Sequence, residues 1–341
     1  MLDPRARARF LRNRAAVVGV SIVALLALFA AIGPLVVGWD PYASDFAGGI
    51  SPNQTPAGPS AVHWLGTDRL FRDELARLAH GARLSHLIGV AATLIASTRG
   101  AIVGIVAGYY EDTRGVRIPW SVIAAAGGAI ALVIGGHAAP ALGLVVGGAL
   151  AWVALSRRTR AAAPSGLDLT ADTALMRIVD VGLSFPFLLL VMAVGAALDR
   201  TTTTSIFVTL GLTGWLGTAR ILRAKTMQVK NHDYVVAARA LGQSTALILV
   251  RHVLPNVVGP LIVVATLSVA QMIVAESVLS YLGVGIAPPT ATWGHMLFEG
   301  QDIYQTAPWI LACPAVAILL AVFGFNLLGE GLRDALDPRE D

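Results

Sequence analysis

Apolar residues along this chain gather into runs long enough to cross a bilayer, separated by shorter stretches rich in arginine, glycine and proline. A span needs about 20 apolar residues, with about 17–25 tolerated. Runs at 15–37, 84–109, 118–134, 141–155, 176–198, 205–222, 256–282 and 307–328 therefore predict eight spans, the third and fourth being short. An even number puts both termini on one side. Arg5, Arg7, Arg9, Arg12 and Arg14 precede the first run and hold the N-terminus in the cytoplasm. That run exceeds a signal-peptide core and lacks a small-x-small cleavage site, so a retained span is expected. With this orientation Arg114, Arg117, Arg157, Arg158, Arg160, Arg223, Lys225, Lys230, Arg333 and Arg339 fall inside, and the loop 283–306, which has no Lys or Arg, falls outside. The segment 64–83 is the exception. Its four arginines are offset by Asp68, Asp73 and Glu74, and Leu70, Leu75 and Leu78 recur at helical spacing, which predicts an amphipathic helix on the outer surface.

One polar interruption is not explained by the bilayer: DYVVAARALGQSTALILVRHVLPN, residues 233–256. Asp233 can cap a helix from Tyr234 to about Leu241, and Gly242 can take the left-handed conformation that ends it. Ser244 can start a second helix, which Leu254-Pro255 is expected to stop, because proline lacks an amide donor. Arg239, Arg251 and His252 fall on the exposed side, with Val235, Ala238, Leu241 and Leu247 available to pack. The expected element is a docking knob for a cytoplasmic partner.

Composition supports the membrane reading. Of 341 residues 55% are hydrophobic and 13% charged, with a mean hydropathy of +0.69, as in polytopic membrane proteins. A net charge of +4 and a pI near 9.6 could suggest nucleic acid. The basic residues instead sit beside apolar runs as membrane anchors, which argues against that partner. Cys313 is the only cysteine, so no intrachain disulfide can form, and a small buried apolar role is expected. No phosphate-cradling GxxxxGK[ST], HExxH, CxxC or nucleophile elbow occurs, and the histidines are scattered. No catalytic residue and no metal site are predicted, and any ATP must be hydrolysed by another subunit.

The Ala237-Ala238 pair, Gly242 and Leu254-Pro255 resemble, in residue type and spacing, the coupling loop of ATP-binding-cassette (ABC) importer permeases. Further motifs are similar to the dipeptide/oligopeptide/nickel branch: WLGTDRLFRDELARLAHGARLS at 64–85, MRIVDVGLSFPFLLL at 176–190, AESVLSYLGVGIAPPTATWGHML at 275–297 and FNLLGEGLRDALDPR at 325–339. Together they favour the second, C-type, of the two permeases that pair in peptide importers. The resemblance implies an all-α type I permease core of six spans, here with an added hydrophobic hairpin. It implies a second permease, two ABC ATPases and an extracytoplasmic solute-binding protein as partners. ATP and magnesium would sit on the ATPases, with no cofactor on this chain. The coupling residues it points to are Asp233, Tyr234, Val236, Ala237, Ala238, Arg239, Gly242, Arg251, Leu254 and Pro255. Two positions depart from the family: Val236 replaces its usual Glu, and Phe71 replaces its usual Gly. The implied solute is a dipeptide or oligopeptide, with nickel or another small solute as the alternative. An ion-gradient-driven secondary transporter is the rival class, but no persuasive repeat and few deep acids favour it.

The expected organisation is a basic N-terminus and first span (1–38), an extracytoplasmic segment with the amphipathic helix (39–83), a core helix (84–112), an inserted hairpin with its linker (113–173), and the remaining core (174–341) carrying the coupling loop 233–255. The insert replaces a short cytoplasmic turn of the family, and its ends are flanked by arginine, so it should leave and re-enter the cytoplasm. Residues 161–172 are expected to be a flexible linker. Arg99 lies near mid-bilayer, where facing lipid would cost at least ~2.5 kcal/mol, so it is expected to pair within the bundle or to line the pathway. Pro186 is expected to kink its span for packing or gating. Glu276 is expected to be satisfied within the bundle or to act as a gate. Trp293 and Trp309 read as interfacial anchors.

Overall fold

A computed structural model describes residues 4–111, 116–119, 166–197 and 202–336. Its helices are α1 (Pro4–Arg12), α2 (Arg14–Val36), α3 (Glu74–Tyr109), α4 (Ala171–Ser184), α5 (Phe187–Ala197), α6 (Thr203–Thr213), α7 (Trp215–Val229), α8 (Asp233–Ala240), α9 (Thr245–Ile248), α10 (Leu254–Tyr281), α11 (Trp293–Gly300) and α12 (Pro308–Leu336), with a π-helical turn at Leu249–Val253. Among the described residues five helical stretches are long and apolar enough to cross a membrane: Arg14–Val36, Glu74–Tyr109, Thr203–Val229, Thr245–Tyr281 and Pro308–Leu336. A sixth candidate is α4 with α5, bent by 96° where Phe185-Pro186 interrupts the helix. Proline cannot donate to the preceding turn and pushes Phe185 out of the helical region. The expected kink at Pro186 is thus a full break.

The chain forms two compact units, Met1–Ile105 with Val179–Asp341, and Val106–Ile178. In the larger, α12 packs along α2 and α10. The approach to α2 is close because the contact is made of small residues: a Cβ at Gly324 would fall 2.8 Å from Cγ2 of Ile22. Ala30, Leu78, Ala82, Ile273, Trp293, Met296, Ala321 and Phe325 form the core between these helices, α3 and α11. In the smaller unit, β1 (Val116–Pro119) pairs antiparallel with β2 (Gly166–Leu169), Arg117 opposite Asp168. This is a departure from the all-α expectation. Residues 166–169 form a strand where a flexible linker was expected, and Ile118 lies in β1, so the predicted span 118–134 cannot begin there. The remainder of that span and the span 141–155 lie outside the described residues.

The predicted surface helix at 64–83 is corrected. Residues 64–73 form a compact turn region, and Glu74 opens the continuous 36-residue α3, with Glu74 and Arg77 fully buried. Asp73 Oδ1 accepts the Ala76 amide at 2.7 Å and starts the helix. Asp68, Arg72, Asp73, Glu74 and Arg77 face a buried network, while Arg69 and Arg83 stay exposed. Asp68 accepts Arg72 Nε at 2.6 Å and lies 3.2 Å from Arg77 Nε. Glu299 of α11 accepts Arg72 Nη2 at 2.7 Å and also Arg77. Burial alone would raise the Glu299 carboxyl, but His295, Arg77 and Arg72 outweigh it and hold the group at about 2. Nearby, His63 is fully buried between Asp73 (2.8 Å) and Asp45 (3.2 Å). Phe71 has φ of 61°, a left-handed conformation, which accounts for the glycine that the related motif carries there. Trp293 is fully buried and donates to the Leu78 carbonyl at 3.2 Å, so it is a core residue and not an interfacial anchor. Trp309 is part-buried and donates to the Thr67 carbonyl at 3.1 Å.

Candidate coupling surface and transport cavity

The segment between α7 and α10 folds as two short helices meeting at Gly242. His232, not Asp233, is the N-cap residue of α8, and Asp233 sits in the first turn, where its negative charge is favourable at the positive end of the helix dipole. At the other end the Gly242 amide bonds the Arg239 carbonyl (3.0 Å) and the Gln243 amide bonds the Ala238 carbonyl (3.1 Å). This double closure requires a left-handed residue, and Gly242 has φ of 77°. Ser244 is the N-cap residue of α9 in extended conformation. The expected stop at Leu254-Pro255 does not occur. The chain widens into the π turn and Pro255 lies in the first turn of α10, where its missing amide costs little. The π turn lets helix run on through the proline, and Thr245–Tyr281 becomes one helical stretch of 37 residues.

The surface of this element differs from expectation in one respect. Val235 and Ala238 are buried, as is Ile248. Leu241 and Leu247, expected to pack, are exposed, Leu241 by 82%. Geometry explains this, since Leu241 is the residue before the left-handed glycine and projects past the helix end. Tyr234, Val236 and Val250 are exposed beside them, as are Asp233, Ala237, Arg239, Arg251, Leu254 and Pro255. His252 is half-buried, its Nε2 3.2 Å from Gln243 Oε1. The knob therefore presents aliphatic side chains and one tyrosine rimmed by arginine.

A second feature is a cavity of about 600 Å³ bordered by α4, α5, α6, α7, α10 and α12. Gly182 and Phe187 place it beside the break at Phe185-Pro186, and Thr213 and Gly214 place it beside the interruption between α6 and α7. Leu216, Met272 and Val322 make most of its wall apolar. Gln271 and Asn326 also line it. Neither residue was singled out by reasoning from charge, although an amide within VAQMIVA and another within FGFNLL are visible in the sequence.

None of the three predicted pathway residues is part of that lining, although Pro186 adjoins it. Arg99 donates to the Leu212 carbonyl at 3.2 Å and stacks over Trp215 at 5.1 Å, which satisfies a carbonyl at the C-terminus of α6. Glu276 is fully buried and accepts Ser280 Oγ at 2.8 Å and Ser85 Oγ at 3.1 Å, joining α10 to α3. Pro186 is exposed at the break itself. Among the described residues no group of three His, Cys, Asp or Glu side chains could hold a metal ion.

Known proteins match this architecture along almost all of the chain. Residues 160–341 match the family model described as binding-protein-dependent transport system inner membrane component. Residues 5–56 match the N-terminal TM domain of oligopeptide transport permease C. The chain is 33% identical to the oligopeptide transport system permease protein OppC of Bacillus subtilis, over 98% of this chain and 88% of that protein. Identity to the dipeptide transport system permease protein DppC of Bacillus subtilis is 35%, over 97% and 84%, and to OppC of Escherichia coli K12 it is 32%, over 98% and 90%. With its several helices long and apolar enough to cross a membrane, the chain belongs to the family of binding-protein-dependent transport system inner membrane components, the multi-pass permease subunits of ABC importers.

Proposed function

We propose that this chain is one of two paired permeases of an ATP-driven importer of dipeptides or oligopeptides, with its termini in the cytoplasm. The peptide assignment rests on relatives whose names specify oligopeptide and dipeptide transport. The six-span core is supported by five continuous candidates and one bent pair. The antiparallel pairing of Val116–Pro119 with Gly166–Leu169 joins the two ends of the insert, which supports a hairpin that returns to the side it left. Two ATPases would dock underneath the permease pair, one of them on this knob, ATP and magnesium being held by them, and a solute-binding protein would deliver peptide from outside.

The observation that carries this reading is continuity. The exposed aliphatic surface at Leu247 and Val250 is joined through the π turn to α10 without a hinge loop, and Leu241 lies across the Gly242 turn from it. Closure of the ATPase pair on ATP would push the knob, and a rigid helix would carry the displacement about 1.5 Å per residue up the bundle to the cavity wall at Met272. Nothing in this chain makes or breaks a bond. Glu276 is satisfied by two serines, which removes the main candidate for a proton-coupled carrier.

The test is reconstitution of the chain with its second permease and the ATPases. Peptide uptake should require ATP and the binding protein. ATP-dependent uptake of nickel with none of peptide would overturn the peptide assignment.

A further inference from the structure

Two helix breaks and two amides meet at the cavity between α4, α5, α6, α7, α10 and α12. Gln271 and Asn326 are each at least ten residues, about 15 Å, from either end of their helices, α10 and α12. Both are exposed, and neither has a hydrogen-bond partner among the described residues. The third polar liner, Thr213, is spoken for: its hydroxyl donates to the Thr209 carbonyl at 2.8 Å. A primary amide left unbonded in hydrocarbon is strongly unfavourable, so two such groups on one wall mark a surface that meets something polar. Among the described residues no charged side chain lines the cavity, so this chain's lining offers hydrogen bonds and not ion pairs.

We infer that Gln271 and Asn326 form a peptide-backbone recognition site in the transport cavity; this rests on the peptide reading above. A carboxamide carries one acceptor and one donor pair, the complement of a peptide bond's N–H and C=O. Pairing with the backbone holds an extended peptide whatever its side chains are, while the apolar wall of Leu216, Met272 and Val322 tolerates varied ones. The cavity volume lies within the range of about 300–1,000 Å³ typical of small-ligand sites. Neutral hydrogen bonds are also weak enough for the peptide to leave. The broken helices add backbone groups at the same depth, in the way discontinuous spans do at transporter sites.

The test uses the complete importer in proteoliposomes. Gln271→Leu and Asn326→Leu together should lower the kcat/KM of tripeptide uptake at least tenfold. ATP hydrolysis without peptide and the yield of assembled complex should stay within twofold. A tripeptide N-methylated at both peptide bonds should be a poor substrate of the unaltered importer and should lose less than twofold on the double substitution. Uptake of the ordinary tripeptide within twofold of the unaltered importer overturns the inference, as does loss of the second permease from the complex, which would make the amides a subunit contact. Absence of tripeptide uptake by the unaltered importer instead sinks the peptide reading. A second measurement does not depend on transport: in a Cys313→Ala background, cysteines at 271 and 326 should react with a water-soluble thiol reagent and be protected at least threefold by tripeptide. No reaction without peptide, as for a lipid-facing site, would also overturn it.

Discussion

Replacing Glu299 by glutamine should loosen the fold at the end of the bundle formed by α11 and the start of α3. In the structure its carboxylate accepts Arg72 at 2.7 Å and also accepts Arg77, and those two guanidiniums are 5% and 0% exposed. Glutamine keeps the shape and removes the charge, which leaves the two buried guanidiniums with Asp68 as their remaining ion-pair partner and the buried Glu74 near Arg77. Breaking a buried pair from one side typically costs about 3–5 kcal/mol. The displacement of the Glu299 carboxyl from 4.5 to about 2 gives a similar size, about 3 kcal/mol. The sign follows from a lowered folded-state value: the contribution is full above about pH 4.5 and fades as pH falls towards 2. Thermal unfolding of the purified complex at pH 7 should drop by at least about 5 °C in Glu299→Gln. Between pH 7 and pH 3 the unaltered protein should lose more stability than the variant does. A shift below about 1 °C at pH 7, or parallel pH profiles, would refute the reasoning. Removing all the charge at once, with Asp68→Leu, Arg72→Met, Arg77→Met and Glu299→Met, should recover part of the loss, because no charge is then left unpaired.

Three further outcomes are expected. Gly242→Val forces a β-branched residue to φ of 77° where its Cβ itself meets open space; the local cost of about 1–2 kcal/mol should distort the knob and cut ATP-dependent uptake more than tenfold with the melting temperature nearly unchanged. Leu241→Asp alters a side chain 82% exposed, so stability should move by less than about 0.5 kcal/mol while co-purification of the ATPases is lost. Arg99→Gln removes the stacking on Trp215 and the bond to the Leu212 carbonyl; it should lower stability by about 1 kcal/mol and leave the KM for peptide within twofold, measured in proteoliposomes.

Apolar run length located the first two core spans, the last two and the polar knob, because the bilayer imposes length directly. It misjudged 64–83, where alternating charge looked like a solvated face. Arg72 and Arg77 pair locally with Asp68 but also meet Glu299, more than 200 residues away, and no local pattern encodes that partner. The same limit applies to Trp293, read as an interfacial anchor but buried under α3 through Gly81 and the Leu78 carbonyl. At the knob, Gly242 was legible from turn chemistry. The passage of Pro255 was not, since the π turn that admits it depends on how α9 joins α10. Leu241 and Leu247 looked like packing residues because sequence reports apolarity and not which protein supplies the covering surface. Gln271 and Asn326 were passed over for Arg99 and Glu276, although charge deep in a span can be spent on holding helices together, as it is for both of those residues.

The central claim is that residues 233–255 transmit ATP-driven motion from partner ATPases to a peptide pathway. Uptake of a labelled tripeptide into proteoliposomes tests it most directly, comparing this chain alone, the assembled importer, and the importer carrying Leu241→Asp. The account predicts uptake only by the assembled importer with ATP on the ATPase side, abolished by Leu241→Asp. Uptake by the chain alone, or undiminished uptake with Leu241→Asp, would contradict it.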